Sequence, residues 1–231
     1  MKRSKNDCDL QSCSLCKGCL KEWLPALNAN RKTFEFKKGE TIFKEGDPVR
    51  GIYFLVSGKA KIHKKWGEDK ELIVRFAGAG DVVGHRGLGK ESFFPVSGTA
   101  LEPVSACFVD LDFFMASLKV NHDFTLKFLL FFAEELQESE RNMRNLGQMQ
   151  VRERVADVLL RLKEKFGLST EMELNIPISR HDLASFAGTT YESVFRVLTE
   201  FGNDGMINIS GKGIFILNAI LLRKLISKNK V

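Results

Sequence analysis

The 231-residue sequence predicts an α+β fold with a β-rich barrel or jelly roll, then a long helix, then a compact helical domain ending in a β-hairpin. Three observations predict it. Short β-rich segments separated by glycines occupy the first half, and a stripe of apolar residues at helical spacing follows. Two helix starts with capping residues then precede two short strands. With 44% hydrophobic residues, the chain can bury a core of this size.

We expect four parts along the chain. They are a cysteine-rich N-terminal segment (1–32), a β-rich domain (33–120), a long helix (121–149) and a C-terminal domain (150–231).

Charge and the N-terminus narrow the class of protein. There are 35 Lys and Arg against 29 Asp and Glu, and the net charge of +6 favours an anionic partner such as nucleic acid. The N-terminus lacks the apolar core of a signal peptide, and no segment approaches the roughly 20 apolar residues that span a bilayer. We therefore predict a cytoplasmic protein without a membrane partner.

The β-rich region extends from Thr33 to about Asp112. Segments such as TFEF, GIYFLVSG, LIVRF and VSACFVDL alternate with glycines, as in barrels and jelly rolls made of short antiparallel strands. An unrelated β-sandwich fits this pattern equally well.

Beyond Asp112, apolar residues recur at spacings of three and four, which predicts one helix of about 25 residues starting near Asn121. A stripe this long usually packs against a partner helix, so we predict a homodimer. The alternative is a helix that packs on its own β-domain. Glu140 interrupts the stripe, which predicts a weaker or condition-dependent contact there. The predicted dimerisation residues are Leu126, Leu129, Ala133, Leu136, Met143 and Leu146.

The segment SRHDLASFAGTTYESVFRVLTEF contains two helix starts. Ser179 with Asp182, and Thr189 with Glu192, match the capping-box pattern. The two short helices flank a turn at Gly188, which is the spacing of a helix-turn-helix.

The second of these helices carries side chains suited to reading DNA. Its N-terminal end is the end that enters a major groove. There Arg196 can donate to guanine O6 and N7, and Glu192 can accept from a cytosine amino group. An ordinary i,i+4 salt bridge on a solvated face is the alternative.

The segment GMINISGKGIFIL predicts a two-stranded wing around a Gly-Lys-Gly turn, which completes a winged helix-turn-helix. Lys212 in that turn, and Arg180 at the start of the first helix, are placed to contact DNA phosphates. The predicted partner is therefore double-stranded DNA. The predicted contacts are Arg180, Thr190, Tyr191, Glu192, Ser193, Phe195, Arg196 and Lys212.

Two segments resemble the CRP/FNR family of transcription regulators. FKKGETIFKEGDPVRGIYFLVSGKAKIH is similar to the opening of that family's cyclic-nucleotide-binding-type β-roll, and RHDLASFAGTTYESVFRVLTEF to its DNA-binding helices. The resemblance covers Phe34 to Asn218 and implies a homodimeric regulator, not an enzyme, that also contacts RNA polymerase. It further implies that Glu192 and Arg196 contact G·C pairs of a palindrome. Tyr191 stands where CRP has Arg, so we expect an FNR-like, TTGA-type inverted repeat.

The family's nucleotide-binding cassette is altered in GHRGLGKESFFPVSG. His85 stands where the resemblance implies an acidic residue, and aromatic and Pro residues lie near the expected Arg-Ser pair. Arg86 can still bind an anion, but the ribose hydroxyl of a cyclic nucleotide loses its partner. We therefore do not expect a cyclic nucleotide. Haem with His85 as an axial ligand is an alternative.

Cysteine spacing points to an iron-sulfur cluster. Cys13, Cys16 and Cys19 form C-x2-C-x2-C, a spacing with which thiolates hold such a cluster while a distant cysteine supplies the fourth bond. Cys107 is the candidate for that bond, and ALEPVSAC matches the stretch that supplies a ligand to the oxygen-labile [4Fe-4S] cluster of FNR. The N-terminal spacing differs from that of FNR, so Cys8 is either spare or a substitute. We predict a [4Fe-4S] cofactor and a response to oxygen or nitric oxide.

Four other interpretations stay open. The N-terminal cysteines can form a zinc site or a thiol-disulfide switch. The protein can instead be an iron-sulfur electron-transfer protein, although the sequence has no nucleotide-binding glycine loop and no nucleophile-base pair. It can also be a cyclic-nucleotide-binding regulatory subunit, which leaves the winged helix unexplained.

Overall fold

The computed structural model describes residues 2–4, 13–67 and 70–227, and the chain divides into two compact units. The first contains the described residues up to 67 together with 74–137. The second contains 70–73 and the described residues from 138 onward.

In the described residues, nine strands form two sheets before the long helix. One sheet has the order β1-β2-β9-β4-β7 and the other β3-β8-β5-β6. The strands are β1 (Lys2–Ser4), β2 (Arg31–Phe36), β3 (Thr41–Phe43), β4 (Gly51–Ser57), β5 (Ala60–Trp66), β6 (Lys70–Ala77), β7 (Val82–Val83), β8 (Ser97–Ala100) and β9 (Val104–Asp110).

Alternating side chains of these strands form an apolar core that joins the two sheets. Strand β9 pairs antiparallel with β2 on one side and with β4 on the other, and it contributes Val104 and Ala106 to the core. Phe43 from β3 and Ile62 from β5 enter the same core from the second sheet. This is the predicted β-roll.

Within the described residues, four α-helices flank the strands. They are α1 (Ser14–Gly18), α2 (Leu24–Asn30), α3 (Leu111–Val120) and α4 (His122–Gln148). The prediction of one long helix beginning near Asn121 is confirmed, since α4 has 27 residues.

The two faces of α4 differ in burial. Phe124 and Phe128 are buried in a cluster with Phe114 of α3, so one face of the helix packs on its own β-domain. The other face exposes the whole of the predicted dimerisation stripe to solvent. The exposed stripe residues are Leu126, Leu129, Ala133, Leu136, Met143 and Leu146.

The second unit contains the predicted helical domain with its hairpin. Its elements are α5 (Val151–Phe166), α6 (Arg180–Ala187), α7 (Tyr191–Asn203), β10 (Ile207–Ser210), β11 (Gly213–Ile216) and α8 (Ala219–Ser227). Leu159 of α5, Leu183 of α6, and Leu198 and Phe201 of α7 are fully buried in this unit. The predicted α+β fold class, with a winged helix-turn-helix at the C-terminus, is confirmed.

Candidate functional site

A capping box starts α6, as predicted. The Ser179 hydroxyl accepts a hydrogen bond from the Asp182 backbone N–H at 3.0 Å, and the Asp182 carboxylate accepts from the Ser179 backbone N–H at 3.2 Å. These bonds satisfy backbone donors that the helix itself cannot satisfy.

Gly188 and Arg154 define the turn between α6 and α7. Gly188 has φ +61°, a left-handed conformation that side chains disfavour, and a Cβ there would lie 2.2 Å from Leu146 Cδ2. The Arg154 guanidinium donates to the carbonyls of Ala187 at 2.8 Å and Met149 at 2.9 Å. One side chain of α5 therefore ties the end of α6 to the loop that precedes α5.

The start of α7 differs from the prediction by one residue. Thr190, not Thr189, is the N-cap, and its hydroxyl accepts from the Ser193 backbone N–H at 3.3 Å. The predicted Thr189–Glu192 capping box is therefore wrong. Thr190 and Ser193 lie at the N-terminal end of the helix, where they hold its first turn.

Glu192 and Arg196 are both exposed on the first turns of α7. Among the described ion pairs none joins these two side chains, so the i,i+4 salt bridge does not form. Hydrogen bonds from its own backbone N–H and from the Thr190 hydroxyl hold the pKa of the Glu192 carboxyl below its usual value. Around neutral pH, α7 therefore presents the Glu192 carboxylate to solvent as a hydrogen-bond acceptor and the Arg196 guanidinium as a forked donor.

An aromatic row runs beside this pair. The rings of His181 and Tyr191 stack at 4.5 Å between centroids, and those of Tyr191 and Phe195 stack at 6.4 Å. We define the aromatic row as these three residues. His181 was not among the predicted contacts, because its neighbour Tyr191 lies on another helix and no local spacing relates the two.

The wing turn is held by Arg180. Strands β10 and β11 pair with Ser210 opposite Gly213. The Arg180 guanidinium donates to the carbonyl oxygen of Lys212 at 2.9 Å, and burial lowers the pKa of Arg180. Lys212 itself is exposed at the turn. Arg180 thus positions the wing from the start of α6.

The described cysteines of the first unit gather in one apolar cluster. Cys13, Cys16 and Cys107 are buried in it, and Cys19 packs against its edge. All four are present as thiols. Burial, together with the neighbouring Cys13, raises the pKa of the Cys19 thiol to about 11. Cys8 lies outside the described residues.

The structure joins the cysteine segment to both α3 and α4. The Trp23 indole N–H donates to the Ser117 hydroxyl at 2.9 Å, and the Leu20 backbone N–H donates to the Asn121 side-chain oxygen at 2.7 Å. Gly18 lies so close to α4 that a Cβ there would be 2.6 Å from Phe124 Cδ2. The thiols are therefore packed against the start of the long helix.

The four thiols suit an iron-sulfur cluster in their chemistry and in their apolar surroundings. Their present arrangement is not that of a ligand set, since within the described ranges no three His, Cys, Asp or Glu side chains are grouped closely enough to hold a metal ion. Binding would therefore require the cysteine segment to rearrange around Cys107.

A second group of polar side chains, most of them partly buried, surrounds Glu135 of α4. Its carboxylate lies 2.9 Å from an Arg86 nitrogen, 3.3 Å from Arg75 Nε and 3.5 Å from His85 Nε2. Arg75 also pairs with Asp81 at 3.0 Å. We call these five residues the Glu135 cluster.

Electrostatics keep Glu135 charged and His85 neutral. Burial raises the pKa of Glu135, but the contact with His85 at 3.5 Å and the two arginines outweigh it and bring that pKa to about 2. Burial lowers the pKa of His85, which is enclosed by the rings of Phe131 and Phe132. The sequence contained a signal for this cluster, since an acidic residue on the Phe-rich face of a helix requires buried partners.

Comparisons with known proteins agree with this architecture. Residues 33–121 match the family model of the cyclic nucleotide-binding domain, and residues 153–225 match the Crp-like helix-turn-helix domain. The chain is 30% identical over 229 residues to the transcriptional activator protein Anr of Pseudomonas protegens, which covers 95% of this chain and 93% of that protein. The chain belongs to the CRP/FNR family of transcription regulators.

Other CRP/FNR regulators are also similar to this chain in sequence and in structure. The chain is 29% identical over 189 residues to the transcriptional activator protein anr of Pseudomonas aeruginosa, covering 80% of this chain and 77% of that protein. The solved structure of FixK2 from Bradyrhizobium japonicum is 26% identical, with a TM-score of 0.76 over 84% of this chain and 96% of that one. This CRP/FNR protein is thus a DNA-binding transcription regulator and not an enzyme. None of the helices in the described residues combines the length and the apolar character that a membrane span requires.

Proposed function

We propose that this CRP/FNR regulator binds a palindromic, TTGA-type DNA site as a homodimer and reads a G·C step with Glu192 and Arg196. The observation that carries the proposal is that both side chains are exposed and not bridged to each other at the N-terminal end of α7. A bidentate arginine-guanine contact discriminates against a wrong base by about 1–3 kcal/mol.

Other residues of the surface support the reading helix. Lys212 is exposed at the wing turn and can contact a phosphate. Arg180 orients that turn through its bond to the Lys212 carbonyl. Thr190 and Ser193 lie at the helix end that approaches the DNA backbone. Tyr191 and Phe195 present aromatic faces beside the Glu192–Arg196 pair.

Dimerisation through α4 is the second part of the proposal. The exposed residues Leu126, Leu129, Ala133, Leu136 and Met143 follow the alternating three- and four-residue spacing of a helix-helix seam. Two copies joined in this way present two reading helices about 34 Å apart, one turn of DNA. Leu146 instead lies against Gly188 and contributes to the helix-turn-helix.

The DNA-binding proposal is tested by mutating Arg196. Binding sites are first selected from random duplex DNA with the wild-type protein, and affinities are then measured by fluorescence anisotropy at fixed salt. Arg196→Ala is expected to weaken binding by roughly 5- to 150-fold, which corresponds to about 1–3 kcal/mol. Arg223→Ala, which removes an exposed arginine of α8, serves as the matched control and should bind like the wild type. Equal binding by Arg196→Ala would contradict the assignment of α7.

We further propose that Cys13, Cys16, Cys19 and Cys107 hold a [4Fe-4S] cluster. When bound, such a cluster supplies a reaction with oxygen or nitric oxide. The four thiols share one apolar cluster, and Cys107 lies on β9 opposite Thr33 and Phe54, within the sheet. The cysteine segment contacts α4 at Phe124, on the same helix as the proposed dimer seam. Rearrangement of this segment can therefore change the packing of α4 and the strength of the dimer.

Anaerobic purification tests the cluster proposal. We expect about four iron and four sulfide per chain and a broad absorption that is lost in air. Cys107→Ser should abolish the absorption, whereas Cys8→Ser should retain it if Cys8 is spare. A colourless protein that contains zinc would indicate a zinc site. A protein with neither metal would indicate a thiol switch, haem or another small ligand.

A cyclic nucleotide is not part of the proposal. His85 replaces the acidic residue of the family's cassette, and both His85 and Arg86 already contact the Glu135 carboxylate. The proposal keeps the division of the chain into residues 1–32, 33–120, 121–149 and 150–231. It also includes a cytoplasmic location and a contact with RNA polymerase.

A further inference from the structure

Phe195 is unusual among the large apolar residues of α7. The core residues Val194, Val197, Leu198 and Phe201 are buried, whereas Phe195 is 60% exposed on the face that carries Glu192 and Arg196. The fold does not need this ring, because the core of the unit closes without it. A large apolar side chain at this place is therefore available to a bound partner.

The aromatic row restricts the orientation of the Phe195 ring. Phe195 stacks on Tyr191 with an interplanar angle of 21°, and Tyr191 stacks on His181 of α6 with an angle of 24°. Each ring limits the rotation of the next, so less conformational entropy is lost when Phe195 enters a groove.

The chemistry of base edges selects what such a ring can contact. In the major groove, cytosine, adenine and guanine present hydrogen-bonding groups, and thymine adds a methyl group. A phenyl ring cannot pair with an amino or carbonyl group, so pressing it against one leaves that group desolvated and without a partner. Contact with a thymine methyl buries apolar surface on both sides.

We propose that Phe195 selects a thymine at the base pair beside the G·C step, and that Tyr191 and His181 are positioning residues that hold its ring. The inference rests on the proposed role of α7 as the reading helix. It adds the side chain that selects a thymine of that site, and a positioning residue, His181, that lies on the first helix of the motif.

Replacing thymine by deoxyuridine tests the contact, because it removes only the methyl group. In a site selected with the full-length wild-type protein, each thymine of a half-site is replaced in turn, symmetrically in both halves. One replacement should weaken wild-type binding by about fourfold for each methyl lost. Arg223→Ala should show the same loss. Phe195→Ala should bind the thymine and uracil sites within about twofold of each other, since the ring that senses the methyl group is gone.

Two results would overturn the inference. The first is that the affinity of the wild-type protein does not change when any thymine of the half-site is replaced by deoxyuridine. The second is that Phe195→Ala still loses affinity at the thymine whose replacement weakens wild-type binding. Failure of the proposed function has a different signature, because Arg196→Ala would then bind as tightly as the wild type.

The positioning role has its own readout, which is the ratio of thymine to uracil affinity. Tyr191→Ala and His181→Ala should reduce this ratio while their melting temperatures stay near that of the wild type. Tyr191→Phe retains a stacking ring and should restore the ratio. If Tyr191→Ala keeps the full ratio, the row does not position Phe195.

Discussion

The C-terminal unit keeps the side chains proposed to act on DNA at its surface, whereas the N-terminal unit buries the groups proposed to sense a signal. Glu192, Arg196 and Lys212 are exposed, while Cys107 and Cys13 are only 1% and 3% exposed. A surface group acts on its partner without any change in packing. A buried group acts only when the residues around it move. Substitutions in the core of the N-terminal unit should therefore change how the protein responds to its signal.

The largest effect is expected at the aromatic cluster around the thiols. Phe114 is fully buried and contacts the rings of Phe54, Phe124 and Phe128. Phe114→Ala should lower the free energy of unfolding by about 3–5 kcal/mol, measured by guanidinium titration. Phe93→Ala removes an exposed ring of the same unit and should change the free energy of unfolding by less than about 0.5 kcal/mol. Similar losses for both variants would contradict the difference in packing.

The Glu135 cluster should give the next largest effect and a dependence on pH. Glu135→Gln leaves Arg75 and Arg86 without their shared carboxylate, and the expected loss is about 3 kcal/mol at neutral pH. Because its pKa is lowered from 4.5 to about 2, Glu135 stabilises the fold above pH 4.5, and this contribution is lost as the pH falls toward 2. The lowered pKa of His85 acts in the same direction, from pH 6.5 downward.

Unfolding titrations between pH 7 and pH 3 check this prediction. The difference between wild type and Glu135→Gln should shrink as the medium becomes acidic. Glu134→Gln changes the exposed neighbour and should follow the wild-type curve. A constant difference at every pH would show that the loss has another cause.

A smaller effect is expected at the turn of the helix-turn-helix. Gly188→Ala places a side chain at φ +61° and should cost about 1–2 kcal/mol, whereas Gly188→Asn should cost less because Asn tolerates this conformation. Leu146 is half exposed and can move aside, so adding Leu146→Ala should not recover the stability. Gly147→Ala, within α4 and clear of other atoms, is the control and should not destabilise.

The smallest effects belong to the helix caps. Ser179→Ala and Thr190→Ala should each lower the free energy of unfolding by about 1 kcal/mol, since each removes an acceptor for a backbone N–H. Thr189→Ala should change it by less than about 0.5 kcal/mol. A larger loss at Thr189 than at Thr190 would restore the original assignment of the cap.

Local patterns predicted the C-terminal unit well, because caps, turns and helical periodicity arise from neighbours in the chain. The start of α6 and the hairpin at Lys212 followed from such patterns. The cap of α7 was misplaced by one residue because Thr189 has the acidic residue of a capping box three positions later, at Glu192, whereas the cap itself, Thr190, is followed at that spacing by Ser193. The bond from Arg180 to the wing joins residues 32 apart, so no local signal indicated it.

Local sequence patterns predicted fewer of the contacts in the N-terminal unit. The Glu135 cluster collects side chains from β6, from the segments on either side of β7 and from α4, and only the folded sheet brings them together. The spacing of Cys13, Cys16 and Cys19 suggested a ligand set, but spacing does not determine how four thiols are arranged around Cys107.

The close approach of Gly18 to Phe124 has a consequence for how this protein can evolve. A side chain at position 18 would meet an aromatic ring that is itself packed against Phe114 and Phe128, so the ring cannot simply turn away. A lineage that acquires a larger residue at position 18 must first have reduced the residue at position 124. The two positions should therefore be epistatic, and their substitutions should accumulate in that order.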